Sequence, residues 1–153
     1  MSLEVEALTK QKKRVHDELK QWLLDLGKKS GYDHTYSGDS EPIDIRIKKK
    51  HVEYNPDVVW NHKGNLYIIE IAFSEDWRAI AGEFLLVSMI RNCKGFLIIT
   101  EGDPDFTNDL FHLMDKQLDL PYWISYTFEP KDLKNVDNVK RKIKSWLTKN
   151  SWI

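Results

Sequence analysis

The sequence predicts an α/β fold in which helices flank a mixed central sheet. Three observations carry this prediction. Residues 51–73 are rich in strand-forming side chains on both sides of a Gly/Asn cluster at 61–65, which is typical of a β-hairpin. Residues 4–27 and 75–92 repeat apolar side chains at helical spacing. Residues 95–100 are a short continuous apolar run, which indicates a buried strand.

The first third of the chain predicts one helix, a loop and a strand. In residues 4–27 the apolar stripe contains Leu8, Val15, Leu19, Trp22 and Leu26. Residues 28–43 are polar and dotted with Gly, Ser, Asp and Pro, which predicts a loop with a short strand around 32–36. Residues 43–47 alternate between apolar and polar side chains and predict a half-buried strand.

The hairpin pattern brings two acids together. If residues 63–64 form its turn, Trp60 lies opposite Tyr67 and Asp57 lies opposite Glu70. Opposed residues in an antiparallel pair have Cβ atoms roughly 4.5–5.5 Å apart. We therefore expect the two carboxylates on the same face of the sheet. A longer loop would change the register, leave Asp57 at a solvated strand end and let Glu70 pair with a Lys or Arg.

The second helix, residues 75–92, predicts a broad buried face and a cap at Ser74. The predicted inward residues include Trp77, Ile80, Ala81, Phe84, Leu85, Ser88 and Met89. Gly82 within this helix predicts close packing on the sheet, because glycine costs roughly 1 kcal/mol against alanine there. The helix joins the hairpin to the apolar run at 95–100, and such a unit predicts a parallel crossover.

The last third of the chain predicts a helix, a strand and a helix at residues 105–119, 121–128 and 136–149. The third helix is expected to bury Phe106, Leu110, Leu113, Met114 and Leu118. The final helix is expected to bury Val136, Val139, Ile143, Trp146 and Leu147, with its lysines outward. The complete order is αβββαβ followed by an αβα extension.

Composition places this order in one domain spanning residues 1–153, with 41% hydrophobic residues to build a core. The single cysteine, Cys93, excludes an internal disulfide and a cysteine-based zinc site. The start of the chain is polar and charged, and no segment is long and apolar enough to cross a membrane. These features predict a cytoplasmic protein.

The two acids also have a chemical consequence. Glu70 sits in an apolar strand, and burying an unpaired carboxylate costs several kcal/mol. A second carboxylate opposite it adds to the repulsion. The pair is relieved if one acid binds a proton or if a divalent cation binds between them. Oxygen ligands suit Mg²⁺ or Mn²⁺, so the hairpin predicts a site for one of these ions.

The segment from Pro56-Asp57 through the turn to Glu70-Ile71-Ala72 resembles the motif of the PD-(D/E)XK nuclease superfamily, which has a restriction endonuclease-like fold. The order of elements over residues 4–100 is similar to that family's core, and residues 101–153 form the extension. The resemblance implies that Asp57 and Glu70 bind catalytic Mg²⁺ and that the protein is a hydrolase acting on DNA or RNA. The motif lysine, which assists the attacking water, is replaced here by Ala72.

Three further residues are candidates for this site. Arg78 follows the Glu70 strand and Lys49 shares its strand parity with Asp57, so either could supply the positive charge that Ala72 does not. An ordinary surface pairing for Arg78 is an equal alternative. Related nucleases often have an acid on the first helix that reaches the metal, and the resemblance assigns that role to Glu18. The alternative for Glu18 is a plain position on the flank of the helix.

The distribution of charge is compatible with two functions. The net charge is −1, but basic residues cluster at 10–14, 48–50 and 140–144, where they could contact phosphates or be solvated helix faces. One function is a metal-dependent nuclease. The alternative is a non-catalytic relative that binds nucleic acid or a protein partner, and a homodimer also stays open. A small-molecule site is disfavoured, because the chain has no Gly-rich phosphate loop and no His pair at ligand spacing.

Overall fold

The computed structural model is a mixed α/β structure, described over residues 3–73, 77–102, 104–118, 123–128 and 130–153. The helices are α1 (Leu3–Lys29), α2 (Trp77–Ser88), α3 (Pro104–Leu118) and α4 (Val136–Lys149), with a 3₁₀ helix at Pro130–Lys134. The strands are β1 (His34–Tyr36), β2 (Ile43–Ile47), β3 (Lys50–Tyr54), β4 (Val58–His62), β5 (Asn65–Ala72), β6 (Cys93–Glu101) and β7 (Trp123–Phe128).

The main sheet is mixed, as the sequence predicts. It has five strands in the order β1-β4-β5-β6-β7. The β1–β4 and β4–β5 pairs are antiparallel, whereas β5–β6 and β6–β7 are parallel. The parallel crossover from β5 through α2 to β6 is therefore confirmed. Strand β7 continues the same sheet beyond the segment that resembles the nuclease core.

The predicted hairpin register is confirmed at every pair of β4 and β5. Trp60 lies opposite Tyr67 and Val58 lies opposite Ile69. The alternation of side chains sends Val58, Trp60, Ile69 and Ile71 into one apolar core with α1 and α4. Val59, Leu66, Ile68 and Ala72 enter a second core on the opposite face, with α2 and α3. Both faces of the central strands are thus covered, which explains their nearly unbroken apolar sequence.

The first arm of the hairpin is not one strand, and here the prediction is wrong. Strand β3 ends at Tyr54 and pairs only with β2, forming a separate two-stranded ribbon. Residues 55–57 interrupt the strand between β3 and β4, and this interruption is called the break. Pro56 has no N–H to donate to a ladder, which favours the break. Gly38 holds it in place, because its N–H donates to the carbonyl oxygen of Pro56 at 2.7 Å.

Helices α1 and α4 match their predicted stripes closely. In α1 the buried side chains are Val15, Leu19, Leu23 and Leu26, while Leu8 lies on the exposed first turns. In α4 the predicted inward residues Val139, Ile143 and Leu147 are buried, whereas Trp146 is on the exposed side. No helix in the described part of the chain combines the length and the apolar character that a membrane span needs.

Helices α2 and α3 bury a narrower face than predicted. In α2 only Ile80, Phe84 and Val87 are buried. In α3 the buried aromatic residue is Phe111, which the prediction missed. The side chains predicted inward but found exposed are Trp77, Leu85, Met89, Phe106 and Leu113. Each helix lies on one face of the sheet, so only one line of its apolar side chains reaches the core.

Gly82 likewise does not approach the sheet. It is exposed, and a Cβ added to it would meet no atom within 4 Å. The proposed cap at Ser74 lies outside the described residues.

Candidate active site

Asp57 and Glu70 are in direct contact at one end of the main sheet. The backbone N–H of Asp57 donates to Oε1 of Glu70 at 3.1 Å. The N–H of Ile71, the residue after Glu70, donates to Oδ2 of Asp57 at 2.8 Å. The carboxylate of Glu70 is therefore tied to the backbone of Asp57, and the carboxylate of Asp57 is tied to the backbone of Ile71, next to Glu70.

The sequence places this contact through strand pairing. Asp57 lies immediately before β4, and the first pair of the β4–β5 ladder joins Val58 to Ile69. Asp57 is one residue outside this ladder, and its backbone N–H reaches Glu70. Strand β6 runs parallel to β5 and ends beside it at Glu101. The acids therefore lie towards the carboxyl ends of two parallel strands, where open α/β sheets bind their ligands.

The two carboxylates have different surroundings. Glu70 shares its face with Ile68 and Ala72, on the side of α2 and α3. The hydroxyl of Tyr54, at the end of β3, also donates to its Oε1 at 3.1 Å. Asp57 instead presents Oδ1 to the imidazole of His16 on α1, at 3.1 Å. The acids thus meet at the end of the sheet, where β4 begins. They do not stand side by side on one face, because residues 55–57 are outside the ladder.

Glu70 is the most perturbed acid of the site. Only 4% of its surface is exposed. Burial, followed by the charge of Asp57, raises the pKa of Glu70 to about 8. Hydrogen bonds with the backbone N–H of Asp57, the side chain of Glu83 and the hydroxyl of Tyr54 offset part of this effect. Burial thus favours the protonated form of Glu70, and proton binding is one of the two forms of relief that the sequence predicts.

His16 is the basic side chain beside Asp57. The hydrogen bond to Asp57 is the main cause that raises the pKa of His16, while its partial burial acts in the opposite direction. Its ring also lies edge-on to Phe73, with 6.4 Å between the ring centroids. Sequence reasoning did not select His16, since its contact with Asp57 depends on how α1 packs across the sheet.

The contact of His16 belongs to a row of three pairs along α1. Three basic side chains at four-residue spacing each reach an acid from another part of the chain. The pairs are Lys12 with Glu101 at 2.8 Å, His16 with Asp57 at 3.1 Å and Lys20 with Asp39 at 3.0 Å. The spacing was visible in the sequence, because residues four apart share one side of a helix. This row fixes α1 against the end of the sheet that carries Asp57.

The other candidate residues are not gathered at this point. Glu18 is bonded to Lys140 of α4 at 3.0 Å, so α1 directs it away from the row formed by residues 12, 16 and 20. Lys49 lies in the exposed turn between β2 and β3, because Ile47 pairs with Lys50 and closes a hairpin there. Arg78 is exposed in the first turn of α2, with its guanidinium carbon 5.7 Å from the ring centroid of Trp77.

Strand β5 contains no lysine that could replace the missing lysine of the motif at Ala72. Its side chain is buried in the core that contains Ile80 and Phe84. The basic side chain that contacts Asp57 is His16 of α1.

Asp57 and Glu70 are the candidate ligands for Mg²⁺ or Mn²⁺. Among the described residues, no three His, Cys, Asp or Glu side chains are arranged to hold a metal ion. Mg²⁺, however, is commonly held by one or two carboxylates, with water and substrate phosphate completing its shell. The raised pKa of Glu70 marks a buried carboxylate that a cation would stabilise. Asp57 and Glu70 are the residues that would hold the ion.

Comparisons with protein-family models, with curated proteins and with solved structures found no match to this chain. Function is therefore inferred from the residues and geometry of this site.

Proposed function

We propose that the protein is a metal-dependent nuclease that hydrolyses phosphodiester bonds at the Asp57–Glu70 site, on a restriction endonuclease-like core. The observation that carries this proposal is the close approach of the two acids at the carboxyl ends of β5 and β6, where Asp57 N–H bonds Glu70 and Ile71 N–H bonds Asp57. The resemblance to PD-(D/E)XK nucleases implies that these two acids are the metal-binding pair.

Each residue of the site has a distinct task in this proposal. Asp57 and Glu70 would hold Mg²⁺ or Mn²⁺, and the ion supplies polarisation of the phosphate and activation of water. The N–H of Ile71 and the imidazole of His16 each bind one oxygen of Asp57, which fixes the plane of its carboxylate. Tyr54 and the N–H of Asp57 orient Glu70. Glu70 must lose its proton before it can bind a cation.

One observation favours a second function. The position of the motif lysine is held by Ala72, which is buried and carries no charge. A relative of this fold without that lysine could bind nucleic acid or a protein partner and cut nothing. In that case the acids would be a structural hydrogen-bonded pair in which Glu70 stays protonated.

Cleavage assays separate the two functions. Labelled DNA and RNA are incubated with Mg²⁺ or Mn²⁺ and with the variants Asp57→Asn and Glu70→Gln, which keep the shape of each side chain. Loss of cleavage in both variants, with Asp25→Asn active, supports the nuclease. Asp25 is an exposed acid on α1 that bonds Gln21, so it is a matched control for lost charge.

Calorimetric titration with Mn²⁺ gives an independent measure. The wild type should release heat on binding, and Asp57→Asn should not. Cleavage that survives both substitutions rules this site out. Nucleic-acid binding without cleavage under every metal condition supports the non-catalytic function.

A further inference from the structure

The two-stranded ribbon β2–β3 stands apart from the main sheet and has two unlike ends. Tyr54 at its base and Ile45 at the middle of β2 are buried in the core shared with α2 and α3. At its tip, residues 46–51 are all exposed. Lys49, in the turn, lies five positions before Tyr54, which corresponds to roughly 16 Å of extended strand. The ribbon is thus an arm that is anchored beside the acidic site and extends away from it.

The tip of this arm concentrates positive charge. Four of the chain's 23 Lys and Arg residues lie within positions 46–50, where the only neutral residue is Ile47. They are Arg46, Lys48, Lys49 and Lys50. Within the described part of the chain, none of these four side chains is in an ion pair. The acids of the ribbon, Asp44 and Glu53, face each other near its base. The charge therefore increases from base to tip.

The backbone of the tip is held in a defined shape. Lys48 is the first residue of a two-residue turn and has a positive φ of 57°. Hairpin turns of this length favour Gly, Asn or Asp at positions with positive φ. Lys48 therefore adopts a backbone conformation that is unfavourable for lysine. The Nε of Arg46 donates to the carbonyl oxygen of Lys48 at 3.0 Å, which braces the turn. The arm thus presents its charges on a two-residue turn that a hydrogen bond from Arg46 closes.

We propose that the β2–β3 arm is a nucleic-acid-binding ribbon whose tip contacts the phosphates of a duplex. Charge complementarity identifies the partner, because a chain of net charge −1 attracts a polyanion only through a local basic patch. A two-stranded β-ribbon also fits the width of the major groove. The arm is joined to the acidic site through Tyr54, whose hydroxyl donates to Glu70. Phosphates bound at the tip would therefore hold the substrate of the proposed nuclease, on which this inference rests for its biological role.

The test is equilibrium binding in the absence of divalent cations. Fluorescence anisotropy with a labelled DNA duplex, in EDTA, compares the wild type with the triple variant Lys48→Asn, Lys49→Gln, Lys50→Gln. Asparagine is chosen at Lys48 because it tolerates positive φ. The matched control is Lys142→Gln, Lys144→Gln, Lys149→Gln, which removes the same charge from exposed positions of α4.

The arm variant should bind the duplex at least about tenfold more weakly than the control at low salt, and log Kd should depend less steeply on log salt. Each lost phosphate contact reduces that slope by about 0.9 for a B-form duplex. Circular dichroism confirms that both variants are folded.

Three results would contradict the proposal that the arm binds a nucleic-acid duplex. They are equal binding by the arm variant and the control, no binding of duplex by the wild type at low salt, and binding of anionic phospholipid vesicles in place of duplex. The proposed nuclease fails separately: duplex binding that depends on the arm, without cleavage in Mg²⁺ or Mn²⁺, removes the catalytic function and leaves the arm intact.

Discussion

Nε2 of His16 lies 3.1 Å from Oδ1 of Asp57, although the two residues are 41 positions apart in the chain. This contact joins the first long helix to the break that precedes β4. It also sets the protonation of the imidazole, because the carboxylate favours the charged ring and raises the pKa of His16.

The first prediction concerns this histidine. Asp57→Asn should lower the pKa of His16, since the hydrogen bond to Asp57 is the largest cause of its upward shift. NMR titration of the imidazole carbon-bound protons measures the change directly. Asp17→Asn serves as the control, because Asp17 contributes less to the same shift. A pKa of His16 that is equal in the wild type and in Asp57→Asn would contradict the hydrogen bond.

Stability should follow the same contact. The pKa of His16 is raised on folding, so protonated His16 stabilises the fold fully below its unfolded pKa of about 6.5. This contribution is lost as the pH rises through the higher pKa of the folded protein.

The second prediction concerns Glu70 and the free energy of unfolding. Folding raises its pKa from 4.5 to about 8, so the native state holds a proton that the unfolded state releases in this window. The contribution is fully present below about pH 4.5 and falls as the pH rises towards 8. Above pH 8, the free energy of unfolding of Glu70→Gln should be higher than that of the wild type by a few kcal/mol, since one pKa unit corresponds to about 1.4 kcal/mol.

Urea unfolding at acidic, neutral and alkaline pH tests this difference. Glu6→Gln, which changes an exposed acid on α1, should keep the pH dependence of the wild type. If the wild type and Glu70→Gln lose stability in parallel as the pH rises, Glu70 is not protonated in the native state.

The third prediction concerns the pH dependence of cleavage. A divalent cation must displace the proton of Glu70, so the rate at low Mg²⁺ should rise about tenfold per pH unit below the pKa of this residue. The rise should level off near pH 8, where Glu70 ionises. Saturating Mg²⁺ should move the midpoint to lower pH, because the cation competes with the proton. Rates that are flat across this range at low Mg²⁺ would remove Glu70 from cation binding.

The fourth prediction concerns the break that positions Asp57. A Cβ on residue 38 would lie 2.4 Å from the backbone nitrogen of Pro56, which cannot move without moving the residues around it. Gly38→Ala should therefore destabilise the protein by about 1–3 kcal/mol, as other overpacked sites do. Its cleavage rate should also fall, since Asp57 follows directly.

Gly82→Ala is the matched control in α2. Its Cβ would meet no atom within 4 Å, and alanine should stabilise this helix position by about 0.5–1 kcal/mol. Thermal unfolding of both variants measures the difference. A Gly38→Ala protein as stable as the wild type would show that the break is not held by this contact.

Several features of the fold were predictable because they depend on neighbours along the chain. The apolar alternation and the turn at Lys63-Gly64 determined the β4–β5 register, and with it the contact of Asp57 with Glu70. The bounds of α4 were predictable from helical spacing within 14 residues. The faces of α2 and α3 were not, because exposed Trp77 and Phe106 resemble core residues in sequence alone.

The local sequence by itself determined that Asp57, just before β4, would lie near Glu70 of β5, since turn and alternation act over a few residues. Only the tertiary structure decided what surrounds them. The break at residues 55–57 depends on Gly38, the burial of Glu70 depends on α2 and Tyr54, and the partner of Asp57 comes from α1. These contacts join segments distant in the chain, and no periodicity within one segment encodes how such segments pack.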